Sequence, residues 1–378
     1  MPGARHYLDH AATTPMRQAA VDAWVEHSGA GNPGGQYASG RAARRALDDA
    51  RDMIAELLGA DPVEVIFTGS GTEADNLAVT GLFEASPLER VVSTPIEHPA
   101  VLEPVKALGL SGARVELLPV GSDGRVFDLR ALDTPAAVAC CMWANNETGA
   151  LQPISEVIAR ASAAGTPVHV DAVQVVGHLP VDFRTLGATT LAASAHKFGG
   201  PRGAGLLLAR RSPAPAAVLH GGGQERGIRP GTPDVASAAA TAAALREAVG
   251  EISAETARLS ALRDRLRGGI LSRVDEVMVH TAEPALPGHL HLSFSGAEGD
   301  SLIMLLDAAG VEASTGSACA SGVNRASHVL LAQGVSERDT RGAVRFTLGR
   351  TTTEADVDKV LAVIGDVAAR ARTAGMAG

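Results

Sequence analysis

Seven short apolar runs alternate with helix-like segments between residues 63 and 210, and this alternation limits the fold more than any other feature of the chain. Strands that alternate with helices form a mainly parallel sheet with helices on both faces, so we predict an α/β fold. Ligands of such sheets bind beyond the carboxyl ends of the strands, where we look for site residues. The predicted strands are residues 64–67, 90–94, 114–118, 137–142, 168–171, 189–193 and 205–209, and predicted helices include 42–58, 99–108 and 153–164.

A second, smaller unit is predicted after a long helical segment at residues 232–269. Strand patterns at 277–281, 289–294 and 344–348 alternate there with helical patterns at 300–309 and 354–371. The length of 378 residues is sufficient for two domains. We therefore expect an α/β domain followed by an α+β domain.

The charge and cysteine content argue against several classes of protein. The net charge of −9, with no basic run, argues against a surface that binds nucleic acid directly. No segment approaches the ~20 apolar residues that span a membrane. Three cysteines, two of them adjacent at Cys140 and Cys141, do not make a disulfide framework, and residues 1–15 lack the apolar part of a signal peptide. We expect a cytoplasmic protein without a metal site.

One lysine follows a predicted strand in the segment Ser194-Ala195-His196-Lys197-Phe198-Gly199-Gly200. A lysine in this position is well placed to form a Schiff base with a carbonyl cofactor, while the neighbouring hydroxyl, imidazole and glycine turn hold a phosphate. An ordinary strand-to-loop junction has the same pattern, so this segment alone leaves both interpretations open.

Two other predicted strand ends carry polar groups. Asp171 ends the strand at 168–171, and a buried carboxylate is costly unless it has a cationic partner. The protonated nitrogen of pyridoxal phosphate (PLP) is such a partner. Residues 69–76, Gly-Ser-Gly-Thr-Glu-Ala-Asp-Asn, form a glycine-rich turn into a helix, whose free amides suit a phosphate. Taken alone, that turn is also typical of an ordinary strand-to-helix connection.

Many motifs follow one another along nearly the whole chain: Tyr7-Leu8-Asp9-His10-Ala11-Ala12-Thr13-Thr14-Pro15, Gly31-Asn32-Pro33, Thr68-Gly69-Ser70-Gly71-Thr72-Glu73-Ala74-Asp75-Asn76, Glu97-His98, Asn145-Asn146-Glu147-Thr148-Gly149, Asp171-Ala172-Val173-Gln174, Ser194-Ala195-His196-Lys197, Gly221-Gly222-Gly223-Gln224-Glu225-Arg226, Arg229-Pro230-Gly231-Thr232, Ser314-Thr315-Gly316-Ser317-Ala318-Cys319 and Arg345-Phe346-Thr347-Leu348-Gly349-Arg350. With them the chain resembles the PLP-dependent fold type I enzymes of the class V aminotransferase group, and within it the NifS/IscS-like cysteine desulfurases. The resemblance implies a large PLP-binding domain at residues 16–250. It implies a small domain formed by residues 1–15 and 251–378, which carries the catalytic cysteine loop.

The resemblance assigns roles around the cofactor ring. It implies that Lys197 carries PLP and later moves protons on the substrate, and that Asp171 keeps the pyridine nitrogen protonated. It places Gln174 against the phenolic oxygen with Asn146 beside it, and it stacks His98 on the ring face as a possible acid or base.

The resemblance also indicates which residues bind the cofactor phosphate. It implies contacts from Gly71, Thr72, Ser194 and His196 of the same chain. Thr232 is implied to reach the phosphate of the neighbouring subunit's cofactor. A homodimer with shared active sites is therefore expected.

The resemblance implies that Arg345 binds the substrate carboxylate, because a guanidinium suits a carboxylate. It places Asn32 and Asn146 at the same end of the substrate. Several of the assigned residues also have purely structural interpretations. His98 precedes a proline and could cap a helix, Asn146 could belong to a turn, Asp171 could serve an ion pair, and Arg345 could stabilise a strand.

Cys319 lies in the small-residue segment Ser-Thr-Gly-Ser-Ala-Cys-Ala-Ser-Gly, which suits an exposed thiol. Cys140 and Cys141 instead lie in an apolar run and are expected to be buried. The resemblance implies that the Cys319 thiolate attacks the sulfur of L-cysteine, leaving L-alanine and a persulfide that passes to a sulfur-acceptor protein.

Two alternatives to this function stay open. One is a PLP-dependent cysteine/cystine or selenocysteine lyase without persulfide relay, and the other is a scaffold that binds a sulfur carrier. The sequence leaves the acceptor open, because iron–sulfur cluster assembly, tRNA thiolation, DNA backbone sulfur modification and thio-natural-product synthesis all use this enzyme type. Two departures from the family pattern are Gly34-Gly35-Gln36-Tyr37, where Ser-Ser-x-His is usual, and Ala326, where proline is common.

Overall fold

The computed structural model describes residues 5–316 and 326–375. A seven-stranded sheet forms its centre, and each of the seven predicted strands is present within two residues of its expected bounds. After the short strand β1 (His6–Tyr7), the strands of this sheet are β2 (Val65–Thr68), β3 (Arg90–Ser93), β4 (Arg114–Leu117), β5 (Val138–Cys140), β6 (Val168–Asp171), β7 (Thr190–Ser194) and β8 (Gly205–Ala209).

The large sheet has the strand order β2-β8-β7-β6-β5-β3-β4. β8 pairs antiparallel with both β2 and β7, and the remaining neighbours are parallel. The predicted α/β class with a mainly parallel sheet is therefore confirmed. Its parallel strands are largely buried, as expected for a sheet covered on both faces.

Helices cover this sheet and connect it to the rest of the chain. The helix α2 buries Ala43, Leu47, Ala50 and Ile54 at spacings of three and four residues, which is the pattern of one apolar face. The helices of this part are α1 (Gln18–His27), α2 (Ala38–Leu57), α3 (Gly71–Glu84), α4 (Pro99–Leu110), α5 (Ile154–Ala163), α6 (Phe183–Leu186) and α7 (Val235–Leu271).

A three-stranded antiparallel sheet organises the C-terminal part, with the order β12-β10-β9. Its hydrophobic cluster, which includes Leu266, Phe294, Phe346 and Ile364, is separate from the cluster around the large sheet. The elements are β9 (Val277–Val279), β10 (His289–Phe294), α8 (Gly299–Ala308), β11 (Val311–Glu312), α9 (His328–Ala332), α10 (Glu337–Thr340), β12 (Ala343–Thr347) and α11 (Glu354–Gly375).

The N-terminal segment connects these two parts. β1 pairs with β11, and Leu8 belongs to the C-terminal cluster. A few residues later, the amide of Thr14 donates to the carbonyl of His196, just after β7. In the described residues, no helix is long and apolar enough to cross a membrane, and no group of three or more His, Cys, Asp or Glu is arranged to hold a metal.

Candidate active site

The carboxyl ends of β6 and β7 and the turn before α3 meet at one place. β6 ends at Asp171, β7 ends at Ser194, and α3 begins at Gly71. A β-carbon on Gly71 would lie 2.8 Å from Cγ2 of Val173 and 3.2 Å from Cβ of Ser194. Glycine therefore lets the turn pack directly against both strand ends, and the three predicted segments meet at one place, the candidate pocket.

Asp171 supplies a buried carboxyl group to this pocket. Its Oδ1 accepts a hydrogen bond from the amide of Val173 at 2.9 Å, and it forms no ion pair with another described residue. Burial raises the pKa of Asp171, whereas His98, the Val173 amide and Lys197 lower it. A buried carboxyl group without an ion-pair partner fits the cationic nitrogen of a cofactor ring.

Lys197 ends the short 3₁₀ turn Ala195–Lys197 that follows β7. Its Nζ donates to the carbonyl oxygens of Ala11 and Ala12, the latter at 3.0 Å. Burial, together with the positive charge of Arg345, lowers the pKa of Lys197 to about 8. The amine is thus much closer to its reactive neutral form at neutral pH than a solvated lysine is.

The lowered pKa predicts how Lys197 of the cofactor-free protein reacts with trinitrobenzenesulfonate, an amine-directed reagent. Since the pKa is lowered from 10.5 to about 8, the neutral amine is half-formed near pH 8, and its fraction falls about tenfold per pH unit below that. Mass spectrometry of the peptide containing Lys197 measures the rate, with exposed Lys106 as internal reference. A midpoint above pH 10 would contradict the pKa assigned to the buried amine.

The turn before α3 carries the predicted phosphate ligands. Ser70 caps α3 by accepting the amide of Glu73 at 3.0 Å, which leaves the amides of Gly71 and Thr72 at the start of the helix. His196 lies across the pocket, with its Nδ1 3.1 Å from the hydroxyl of Thr13. The helix amides and the Ser194 end of β7 form a place for an anion.

His98 does cap a helix, as its structural interpretation predicted. Its Nδ1 accepts the amide of Ala100 at 3.1 Å at the start of α4. Burial lowers the pKa of His98, while Asp171 raises it and Lys197 lowers it. The cap fixes the orientation of the imidazole at the start of α4.

The N-terminal segment forms one wall of the pocket. The amide of Gln174 donates to the carbonyl of Ala11 at 3.1 Å, the same oxygen that accepts from Lys197. A predicted ring contact of Gln174 is therefore compatible with its position, because the carbonyl of Ala11 occupies only one of its amide donors.

Arg345 lies in β12 and is almost completely buried. Its Nη2 donates to Oδ1 of Asp9 and its Nη1 donates to the carbonyl of Asn146 at 2.7 Å. Its Nε has no hydrogen-bond partner among the described residues. A buried guanidinium that is held on two sides and has a remaining N–H donor can bind a substrate carboxylate.

Three predicted residues are not part of this assembly as described. Asn32 is exposed and lines a separate cavity of about 420 Å³ with Gly223–Arg226, and Lys197, Asp171 and Arg345 are not among its lining residues. Thr232 is exposed in the segment before α7. Cys319 lies outside the described residues. Cys140 and Cys141 are buried, as predicted.

Several polar residues near the site were not assigned a role from the sequence. Glu97 is buried next to His98; its Oε1 accepts from the Thr94 hydroxyl and the Met142 amide, and burial raises its pKa to about 8. Two residues before Asp171, the buried His169 lies 3.0 Å from Oδ1 of Asp75. Their motifs were visible in the sequence, but which side chains face one another was not.

Comparisons with known proteins identify the family of the chain. A model of the family described as aminotransferase class V matches residues 6–360. An IscS-like cysteine desulfurase of Mycobacterium tuberculosis (strain ATCC 25618 / H37Rv) is 48% identical over 386 residues, covering 98% of each chain. The cysteine desulfurase NifS of Azotobacter vinelandii is 38% identical, covering 97% of this chain and 93% of its own.

A solved structure titled as a NifS-like protein superimposes with a TM-score of 0.90 at 33% identity, covering 97% of this chain and 100% of its own. The fold is thus that of a fold type I enzyme, and the chain belongs to the class V aminotransferase family. Within that family it is a member of the NifS/IscS-like cysteine desulfurases.

Proposed function

We propose that this protein converts L-cysteine to L-alanine, forms a persulfide on Cys319 and passes the sulfur to an acceptor protein. The observation that carries the proposal is that Lys197, whose pKa is lowered to about 8, and the buried carboxyl group of Asp171 lie at the carboxyl ends of the neighbouring strands β7 and β6. The desulfurase relatives support the choice of L-cysteine as substrate.

The pocket has the chemistry that PLP requires. Asp171 offers a carboxyl group without an ion-pair partner, Gly71 leaves space that a side chain would fill, and the start of α3 offers amides to a phosphate. In this proposal Lys197 attaches the cofactor, Asp171 faces its ring nitrogen, Gln174 and Asn146 bind its phenolic oxygen, and His98 covers the ring. When bound, PLP supplies an electron sink that stabilises negative charge on the substrate carbon next to the amine.

The phosphate would be held by the α3 end of the pocket and by a second copy of the chain. Gly71, Thr72, Ser194 and His196 are the ligands proposed within one chain. Thr232 is proposed to reach the phosphate in the partner of a homodimer, and its exposed position leaves it accessible to a second copy of the chain. Each active site would then be incomplete without the other subunit.

Arg345 would orient the substrate by its carboxylate. Asp9 and the Asn146 carbonyl fix the guanidinium, so little side-chain entropy is lost when the substrate binds. Asn32, which lines a separate cavity with Gly223–Arg226, is proposed at the same end of the substrate. Nζ of Lys197 can take a proton from the substrate and return one, because its pKa lies near neutral pH.

Cys319 is the proposed nucleophile for sulfur transfer. Its thiolate attacks the substrate sulfur, so that a sulfur–sulfur bond forms as the carbon–sulfur bond breaks. The freed carbon takes a proton and leaves as L-alanine, and the transferred sulfur remains on Cys319 as a persulfide. In balance, L-cysteine and one thiol yield L-alanine and one persulfide.

We extend the proposal to the organisation of the molecule. The separation of the C-terminal hydrophobic cluster from the main cluster at the large sheet supports a large domain at residues 16–250 and a small domain of residues 1–15 and 251–378. Two of the three cysteines are free and buried, which supports a location in the reducing cytoplasm.

The products formed from L-cysteine test this function. In the presence of a thiol reductant, we expect the wild-type protein to release alanine and sulfide in equal amounts. A lyase without persulfide relay would release pyruvate and ammonia with the sulfide. Those products would contradict the desulfurase proposal and favour the lyase. Amino-acid analysis and a sulfide assay on the same samples give the ratio directly.

A further inference from the structure

A carboxylate and a guanidinium meet at the turn that would hold the cofactor phosphate. Nε of Arg229 donates to Oε1 of Glu73 at 2.7 Å, while Oε2 of Glu73 accepts the amide of Gly69 at 2.7 Å. A β-carbon on Gly69 would lie 3.8 Å from Nη2 of Arg229, so the guanidinium lies over the turn itself. Neither residue has a role in the proposed reaction.

The charge of Glu73 is unexpected at this place. Glu73 is the third residue of α3, one position after the proposed phosphate ligand Thr72. A negative side chain normally stabilises the first turn of a helix, but here it would repel a phosphate bound to the same helix end. Both partners are only about one quarter exposed, 26% for Arg229 and 24% for Glu73, which reduces screening by solvent.

Arg229 is held in place by its own loop. Four residues earlier, Glu225 receives a two-pronged ion pair from Arg51, at 2.6 and 2.8 Å, and also accepts the amide of Phe67 in β2. Glu225 and Arg226 both have positive φ angles, 48° and 61°, a conformation that non-glycine residues adopt only when their surroundings require it. The loop is therefore fixed against the strand that leads into the phosphate turn.

We propose that Glu73 and Arg229 are positioning residues for the cofactor phosphate. Glu73 holds the Gly69 amide and thereby the shape of the turn, and Arg229 cancels the negative charge that Glu73 brings to the phosphate. Because Arg229 precedes Thr232 by three residues, the same pair joins one subunit's phosphate turn to the segment that reaches the other subunit's phosphate. This inference rests on the proposed function, which supplies the phosphate.

Cofactor affinity of four variants tests the inference. Full-length protein freed of cofactor is titrated with PLP, and the visible absorbance of the bound cofactor gives the dissociation constant. Arg229→Gln is expected to raise it about tenfold, since the charge of Glu73 is then uncompensated. Arg229→Lys, which keeps the charge, and Glu73→Gln, which keeps an acceptor for the Gly69 amide, are expected to stay within about threefold of wild type.

The double variant Glu73→Gln/Arg229→Gln gives the decisive comparison. It is expected to recover to within about threefold of wild type, because it removes both charges. If the pair only held the loop, both single variants would weaken binding and the double variant would not recover, which would overturn the proposal. Competition between inorganic phosphate and PLP provides a second readout. Arg229→Gln should weaken the binding of inorganic phosphate by about the same factor as the binding of PLP.

Arg210→Gln is the matched control. Arg210 pairs with Glu64 at 3.1 Å and is similarly exposed, at 24%, but lies at the opposite end of β2. Its removal should change PLP affinity less than twofold, and a tenfold loss there would overturn the assignment to Arg229. If the wild-type protein bound no PLP, that result would count against the proposed function. If the wild-type protein bound PLP and Arg229→Gln bound it with the same dissociation constant, only the role of the pair would be overturned.

Discussion

Lys197→Ala is expected to lower kcat for alanine formation from L-cysteine by about 10³-fold or more. Two losses combine in this variant: the attachment point of the cofactor and the proton carrier of the reaction. No other lysine can substitute from the described part of the pocket, and a buried amine with a pKa of about 8 cannot be supplied by solvent.

Initial rates of alanine release at saturating L-cysteine and added PLP measure this effect. Lys106→Ala is the matched control, because Lys106 is an exposed lysine on α4 and should be dispensable. Near-normal turnover in Lys197→Ala that is folded and loaded with PLP would remove Lys197 from the mechanism.

Cys319→Ser should abolish sulfur transfer, with alanine formation reduced about 10³-fold or more. A serine hydroxyl is far less nucleophilic towards sulfur at neutral pH than a thiolate, and a persulfide cannot form on oxygen. PLP binding should be unchanged, since none of the proposed cofactor ligands is altered. A lyase that needs no persulfide would keep most of its activity on L-cysteine.

The other two cysteines provide the controls for this variant. Cys140 and Cys141 are buried, and burial raises the pKa of both thiols well above the ordinary value, so neither is a nucleophile near neutral pH. Cys140→Ala and Cys141→Ala should therefore retain activity per folded molecule. Mass spectrometry after one turnover should find an added sulfur atom on Cys319 in wild type, and an added sulfur on Cys140 instead would refute the assignment.

The large sheet could be predicted because its strands are short apolar runs between clear turns. Val168–Asp171 and Gly205–Ala209 match the predicted bounds, and most other ends differ by one residue. The helix α1 was not predicted, since Ala20 is its only fully buried residue and a periodic apolar pattern is missing. The bounds of strands thus follow from local sequence, whereas a helix that fully buries only Ala20 leaves little apolar pattern in it.

The site residues could be predicted from strand ends and motifs, but their hydrogen-bond and ion-pair partners could not. The ion pair between Arg345 and Asp9 joins residues 336 positions apart, and no local pattern specifies it. The cap formed by His98 was foreseen as an alternative to a role at the ring, and the structure gives the cap without removing the imidazole from the pocket. Glu73 was read only as part of a motif, because its pairing with Arg229 depends on how a distant loop returns to β2.

The N-terminal wall of the pocket has a consequence for the order in which the molecule is made. Asp9 is synthesised 336 residues before its partner Arg345. At elongation rates of about 5–20 residues per second, this interval lasts about 17 to 67 s. For part of that time β1 also lacks its partner β11, and until residue 197 is synthesised the carbonyls of Ala11 and Ala12 lack the Lys197 amine. The substrate-binding end of the active site is therefore completed only once Arg345 has been synthesised, long after the last strand of the large sheet at Gly205–Ala209.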